Sequence, residues 1–286
     1  MLVQINEPPK RDARQEDQGL ELTSLAQAKT GQALKPSSAI LKLSLDAINQ
    51  FKLIEPGDRV AVGYSGGKDS LALIALLASL QLRDDFDFEM KVIHLDQQQP
   101  GFKRDGFNLS LERLGVECEV ITKDTWSVVK EKRRPGQIPC ALCSRMRRGI
   151  LNRWCSENGF NKLALGHHLD DALETFFLNM LYGRNLRPLT PTTRTTDGDV
   201  TTIRPFIFVE ESKLQAWVDQ SGLSPIDCPV CDAFPDAKRR DLKTLFKSLA
   251  GLQPELHASV RTALYGPDSP LQLNPLLRDE QGELEG

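Results

Sequence analysis

Apolar and polar positions along the chain change period repeatedly, from helical to extended and back. Residues 39–51 (AILKLSLDAINQF) put Ile40, Leu43, Leu45 and Ile48 on one stripe, a helix that Ser38 can cap. The turn EPGD (55–58) leads into a short β-rich run, RVAVGY (59–64). Beyond it the pattern predicts helices over 71–80, 107–115, 140–157, 170–181 and 212–220, alternating with strands over 90–96, 117–122, 162–167 and 201–207. Strands separated by helices imply right-handed crossovers, hence an α/β fold whose parallel sheet has helices on both faces. Ligands in such folds lie beyond the carboxyl ends of the strands. After Cys231 the pattern turns helical over 237–252 and 254–264 and ends in a loose tail. We therefore expect a mobile tail over 1–36, the main domain over 37–240 and a helical extension over 241–286.

Composition narrows this picture. With 286 residues, 40% of them hydrophobic and 26% charged, the chain has the make-up of a soluble globular protein. No apolar run approaches the roughly 20 residues of a membrane span, and the start lacks the apolar stretch of a signal peptide, so a cytoplasmic location is expected. In a reducing compartment six cysteines favour metal or redox chemistry over disulfides. Net charge is −3, yet between Lys130 and Arg153 eight Lys or Arg stand against Glu131 alone, and AKRR (237–240) adds a second cluster. A basic face on a mildly acidic protein suits RNA or another polyanion; a solvated surface explains it equally well.

Two stretches carry chemistry. In YSGGKDSLAL a glycine pair falls between a strand and a helix. Glycines let backbone approach phosphate, and helix-terminal amides attract the anion. The hydroxyls of Ser65 and Ser70 add donors, and Asp69 can hold a magnesium ion bridging phosphates. No Walker A pattern is present. The second stretch is CALCSRMRR (140–148). Cys140 and Cys143 have metal-ligand spacing but cannot close a four-ligand site alone, and the next close pair is Cys228 and Cys231. Four thiolates would make structural zinc, the reading that spacing alone favours. Three on an iron–sulfur cubane would leave one iron open to exogenous sulfide. Cys118 and Cys155 read as core cysteines.

SGGKDS resembles the signature of the PP-loop ATP pyrophosphatases. HLDQQQPGF (94–102), VKEKRRPG (129–136), CALCSRMRRGIL (140–151), LGHHLDDALETFFLNMLYG (165–183) and IRPF (203–206) narrow the resemblance to the tRNA 2-thiocytidine synthetases, over roughly residues 38–240. The resemblance implies an adenine nucleotide alpha hydrolase-like fold. It implies ATP and Mg2+ at Ser65, Gly66, Gly67, Lys68, Asp69 and Ser70, with Asp96 facing the nucleotide or its metal. It also implies a [4Fe–4S] cluster on Cys140, Cys143 and one of the later pair, for which Cys231 is favoured over Cys228. The implied activity is adenylation of the C2 oxygen of an anticodon-loop cytidine and its replacement by sulfur. Implied partners are tRNA and a sulfur donor, either a cysteine desulfurase or free sulfide, with a homodimer left open. One departure stands out: where the family usually has Gly-Ser-Gln after the second late cysteine, this chain has Asp232, Ala233 and Phe234. A thiolase acting on another nucleotide and a lysidine-synthetase-type ligase remain as rivals, with a zinc-stabilised RNA-binding protein behind them.

GHHLDD ends one strand and opens a helix, so Asp170 and Asp171 serve either as helix-dipole partners or in proton transfer and magnesium binding, for which Asp171 is the candidate. Packing or capping accounts for His167 and His168, and His257 carries no recognisable chemistry. Arg147, four residues after Cys143, falls on the same helical side and is the candidate for stabilising charge on the activated base; Arg148 and Arg133 are candidates for phosphate contacts.

Overall fold

The computed structural model describes residues 34–99, 107–132, 140–196, 199–226 and 237–269. The elements run α1 (Ser38–Phe51), β1 (Asp58–Tyr64), α2 (Lys68–Gln81), β2 (Phe88–Asp96), α3 (Phe107–Leu114), β3 (Cys118–Thr122), α4 (Trp126–Lys132) and α5 (Cys140–Glu157). They continue as β4 (Lys162–Ala164), α6 (Leu169–Leu181), β5 (Thr192–Arg194), β6 (Thr201–Ile203), α7 (Glu211–Ser221), α8 (Ala237–Leu252) and α9 (Leu256–Tyr265). The tail expected before residue 34, and Arg133, Cys228, Cys231 and the Asp-Ala-Phe stretch, lie outside the described residues.

The sheet order is β3-β2-β1-β4-β6-β5, parallel throughout except for β5, which pairs antiparallel with β6 at one edge. Adjacent β1 residues point into opposite layers. Val60 and Val62 join a large core with α1, α2, α7 and α9, whereas Ala61 joins a smaller one with Leu151 and Cys155 of α5. Helices thus cover both faces, as a parallel sheet requires. α2 is apolar nearly all round because it is buried nearly all round. Leu71 through Leu77 are at most 1% exposed, and each such leucine or isoleucine contributes roughly 1.5–3 kcal/mol on leaving water.

Local details differ from the sequence reading. The cap of α1 is Ser37, not Ser38: its hydroxyl accepts from the Ile40 amide, and its carbonyl accepts from Leu41. The buried stripe of α1 is Ile40, Ser44, Ala47 and Ile48, with the Ser44 hydroxyl returned to the Ile40 carbonyl. β4 stops at Ala164 rather than 167, and β6 stops at Ile203, where Arg204 and Pro205 leave the ladder. Position 240 falls inside α8, which packs Leu242 and Phe246 against Leu173 of α6. Leu34 is partly buried on the main core, and the Lys35 carbonyl accepts from the Trp217 indole.

Candidate active site at the sheet's carboxyl edge

β1 pairs with β2 on one side and β4 on the other, so the chain leaves the sheet in two directions around the end of β1. That reversal is where doubly wound sheets bind ligands. The segment after β1 is SGGKDS, and the segment after β4 is GHHLDD.

Hydroxyls tie the first loop together. The Ser65 amide donates to Ser70 Oγ, Ser70 Oγ donates to the Gly67 carbonyl, and the Gly67 amide donates to Ser65 Oγ. Gly66 sits at φ +90°, which side chains rarely adopt, and its carbonyl accepts from the Ile226 amide. Gly67 caps α2 without a side chain over the helix end, which leaves the first-turn amides for an incoming oxyanion. These features fit a nucleotide's phosphates. Gly166 brings the second loop close: a Cβ there would lie 2.9 Å from the Asp69 carbonyl carbon.

Lys68 heads a chain of charges. Its ammonium lies 3.0 Å from Asp69 and 2.9 Å from Glu211 at the start of α7. Glu211 in turn accepts from Lys243 of α8 at 3.1 Å; Lys243 also approaches Glu174, which Arg239 binds at 3.1 Å. Burial works against charge on Lys68, but Asp69 and Glu211 prevail and raise its pKa. Burial likewise opposes the Glu211 carboxylate, and the two lysines outweigh it, lowering its pKa. Glu174, only 3% exposed, keeps a raised pKa because burial exceeds the help of Lys243 and Arg239.

The second loop is partly structural. His168 caps α6, with Nδ1 accepting from the Asp171 amide, while Asp171 Oδ2 accepts from the His168 amide, closing a capping box. In this tautomer Nε2 carries the proton and faces Asp171 at 3.5 Å and Asp69 at 4.0 Å. Asp170 is committed elsewhere: it accepts from the Glu211 amide at 2.7 Å and pairs with His257 of α9 at 2.9 Å. His257, which carried no chemistry by sequence, therefore ties the C-terminal helices to the site.

That tether predicts a pH dependence. The hydrogen bond to Asp170 raises the pKa of His257 above its ordinary 6.5. Burial opposes charge on Asp170, but His257 and the Glu211 amide lower its pKa below 3.8. The Asp170 contribution is present above its ordinary pKa and is lost as pH falls through the folded one. The His257 contribution is complete below its ordinary pKa and is lost as pH rises through the folded one. His257→Ala should therefore cost most between these ordinary values, about 1 kcal/mol for a pair this exposed, and less in alkali. Urea denaturation at about pH 5.5 and about pH 8.5 checks this; an equal cost at both would refute it.

α5 brings the cysteine stretch to the same edge. Cys140 opens this helix. The Cys143 thiol donates to Gln97 Oε1 at 3.2 Å and accepts from Gln99 Nε2 at 3.6 Å, both residues just beyond β2. Buried Asp96, at the end of β2, accepts from the Gln98 amide. Among the described residues no group of three or more His, Cys, Asp or Glu stands ready to hold a metal. Of the thiolate ligands expected for a cluster, Cys143 is the one whose side chain is described; it is half-buried between the neutral amides of Gln97 and Gln99, and its sulfur is the soft donor that iron–sulfur clusters take, so it fits that role. Burial pushes the Cys118 and Cys155 thiols up to about 12, in keeping with core roles.

Positive charge closes the edge. Arg147 is half-buried and Arg148 exposed. Burial and the charges of Arg204, Arg147 and Arg148 hold His167 down to about 3, so its ring is neutral. Arg204, 2% exposed, donates to the Thr190 carbonyl and the Thr193 hydroxyl beneath the site. Burial and Arg148 bring its pKa down to about 10, which still leaves it charged. The sequence carries Gln97, Gln99 and Arg204 only inside the family stretches and gives no sign of Glu211 or Lys243; their signal is three-dimensional.

The fold and this edge define a PP-loop protein, and the family described as a PP-loop domain matches residues 40–227. Curated proteins narrow the class. Over 222 residues the chain is 40% identical to a tRNA-cytidine(32) 2-sulfurtransferase of Alkalilimnicola ehrlichii, covering 78% of this chain and 71% of that protein. It is 44% identical to one from Neisseria meningitidis over 68% of this chain and 61% of the relative. Against one from Deinococcus radiodurans identity is again 44%, over 68% of this chain and 65% of the relative. The chain belongs to the tRNA-cytidine(32) 2-sulfurtransferase family. Its match thus spans about two thirds of these relatives' length. The fold is also that of the U34-tRNA thiolase NcsA from Methanococcus maripaludis, solved with its [4Fe–4S] cluster, at TM-score 0.61 and 21% identity over 77% of this chain and 75% of that one.

Proposed function

We propose that the protein is an ATP-dependent tRNA sulfurtransferase that converts an anticodon-loop cytidine, position 32 as in its relatives' name, to 2-thiocytidine. The observation that carries this reading is convergence: the phosphate loop, Cys143 and the arginines of α5 meet at one sheet edge. The amides of residues 68–70 and the hydroxyls of Ser65 and Ser70 hold the phosphates. Asp69 holds the magnesium ion that travels with ATP, and Asp96 faces the nucleotide. The cytidine C2 oxygen attacks the α-phosphate and pyrophosphate leaves; a sulfur nucleophile then adds at C2 and AMP departs. Asp171, already oriented by its capping box, is the candidate for moving the proton, and Arg147 for countering charge on the activated base. A [4Fe–4S] cluster held by Cys140, Cys143 and Cys231 supplies an iron open to sulfide. The sulfur comes from free sulfide or a cysteine desulfurase, the enzyme works in the cytoplasm, and a homodimer is the assembly to test. No helix among the described residues is long and apolar enough to cross a membrane.

Incubation with ATP, sulfide and tRNA from a strain lacking the gene should yield AMP and pyrophosphate in step with a 2-thiocytidine signal in the nucleoside digest. ADP and orthophosphate as products would refute adenylation. A thiolated uridine in place of the cytidine would reassign the nucleotide.

A further inference from the structure

α6 carries the site at its first turn and a second built feature at its last. The helix spans Leu169–Leu181, about 20 Å end to end, and the chain beyond its last turn comes back to the end of β6 at Thr190, whose carbonyl accepts from Arg204. The turn that follows is fixed by its own polar groups. The amides of Tyr182 and Gly183 both donate to the Leu178 carbonyl, and the Asn185 amide donates to Asn179. Asn179 Nδ2 donates to the Arg187 carbonyl at 2.6 Å, Asn185 Nδ2 to the Gly183 carbonyl at 3.1 Å, and the Arg187 amide to Asn185 Oδ1 at 3.1 Å. Within this frame Arg184 is held at φ +53°, a left-handed conformation uncommon for a side-chain-bearing residue.

The turn displays a mixed surface. Leu181 and Tyr182 are each 54% exposed and Leu186 is 64% exposed; Arg184 and Arg187 are exposed beside them. Lys238 of α8 places its ammonium 4.1 Å from the centre of the Tyr182 ring. Between Glu174 and Asp197 the chain has Arg184, Arg187 and Arg194 and no acid. The exposed leucines would suit a second copy of the chain. A two-fold contact, however, sets the same patch against itself and would bring these arginines onto one another. RNA answers both halves of the surface, with phosphates for the cations and ring faces for Tyr182.

We propose that the Tyr182–Arg187 turn, with Lys238, is a second RNA contact, in which Arg184 and Arg187 hold phosphates and Tyr182 stacks on an exposed nucleotide other than the reacting one. This rests on the reading of the chain as a tRNA-modifying enzyme.

Anisotropy titrations of the full chain with labelled tRNA across a salt series test it. Arg184→Ala with Arg187→Ala should lower the salt slope by about 2, since each phosphate contact contributes close to one. Tyr182→Ala should weaken binding about tenfold with the slope unchanged, and Tyr182→Phe should restore it. In turnover assays the double arginine variant and Tyr182→Ala should each raise KM for tRNA and leave kcat unchanged, a split that a folding defect would not produce. Wild-type tRNA affinity in both the double arginine variant and Tyr182→Ala would overturn the proposal. So would sedimentation showing a wild-type dimer that Tyr182→Ala dissolves without loss of tRNA affinity. A wild-type chain that binds no tRNA would instead overturn the function on which the proposal rests.

Discussion

Asp69→Ala should reduce tRNA-dependent pyrophosphate release on the order of a thousandfold, about 4 kcal/mol of transition-state stabilisation, with the fold intact. Asp69 stands in the first turn of α2 under amides that have no side-chain cap, 30% exposed, with Lys68 on its carboxylate. Its removal takes away the group that faces the phosphates' metal ion and leaves Lys68 to Glu211 alone. The stability cost is a helix-dipole contact and one of the two ion pairs of Lys68, about 1–2 kcal/mol together, so melting should shift by only a few degrees. Glu211→Gln makes the contrast. It loosens Lys68 but leaves the metal-facing carboxylate in place, so it should raise KM for ATP several-fold and touch kcat less. A coupled pyrophosphate assay beside a circular dichroism melt separates the two. Pyrophosphate release by Asp69→Ala within tenfold of wild type would place the chemistry somewhere other than this loop.

The contrast between Asp69 and Glu211 also shows what a linear reading can reach. Asp69 is legible because strand, glycines, hydroxyls and helix follow one another within a few residues. Glu211 is not, because its partners Lys68 and Lys243 are far away in sequence and meet only once α7 and α8 are packed. The same holds for His257, whose meaning lies entirely in Asp170. Among the elements, α2 was legible as a long apolar run that follows a strand and a glycine pair, and α5 by its eighteen-residue length. β5 and α4 were not: three exposed or half-buried residues, TTR, show no alternation, and the seven of WSVVKEK make two turns that only their neighbours stabilise. β4 was read three residues too long because Leu165, Gly166 and His167 look extended. Gly166 instead presses on the Asp69 backbone, turning the chain toward the phosphate loop. The basic cluster at 237–240 proved divided in role. Arg239 serves buried Glu174, whereas Lys238 lies over an exposed ring.

The cysteine stretch gives the second large effect. Protein purified without oxygen should be brown and hold about four irons with little zinc, and Cys140→Ala or Cys143→Ala should each abolish that content. Unfolding would not be the cause. Cys143 is half-buried, and its thiol exchanges hydrogen bonds with Gln97 and Gln99, so its loss should cost roughly 1–2 kcal/mol in the metal-free chain, too little to unfold it. Cys155→Ala is the matching control. Its thiol is fully buried in the layer between α5 and the sheet, so the variant should lose about 1 kcal/mol of stability to a small cavity and keep all its iron. Of the late pair, Cys231→Ala should lose more iron than Cys228→Ala. The chain entering their segment is pinned at Ile226 to the Gly66 carbonyl, and the chain leaving it begins α8, whose Arg239 and Lys243 bind Glu174 and Glu211. Both ends are therefore anchored beside the phosphate loop, where a third thiolate must arrive to join Cys143. Greater iron loss for Cys228→Ala would move the third ligand three positions back and leave the chemistry as proposed. Colourless protein carrying one zinc per chain, lost in each of the four cysteine variants, would make this a four-thiolate structural site, and the sulfur would then have to reach the cytidine without an open iron.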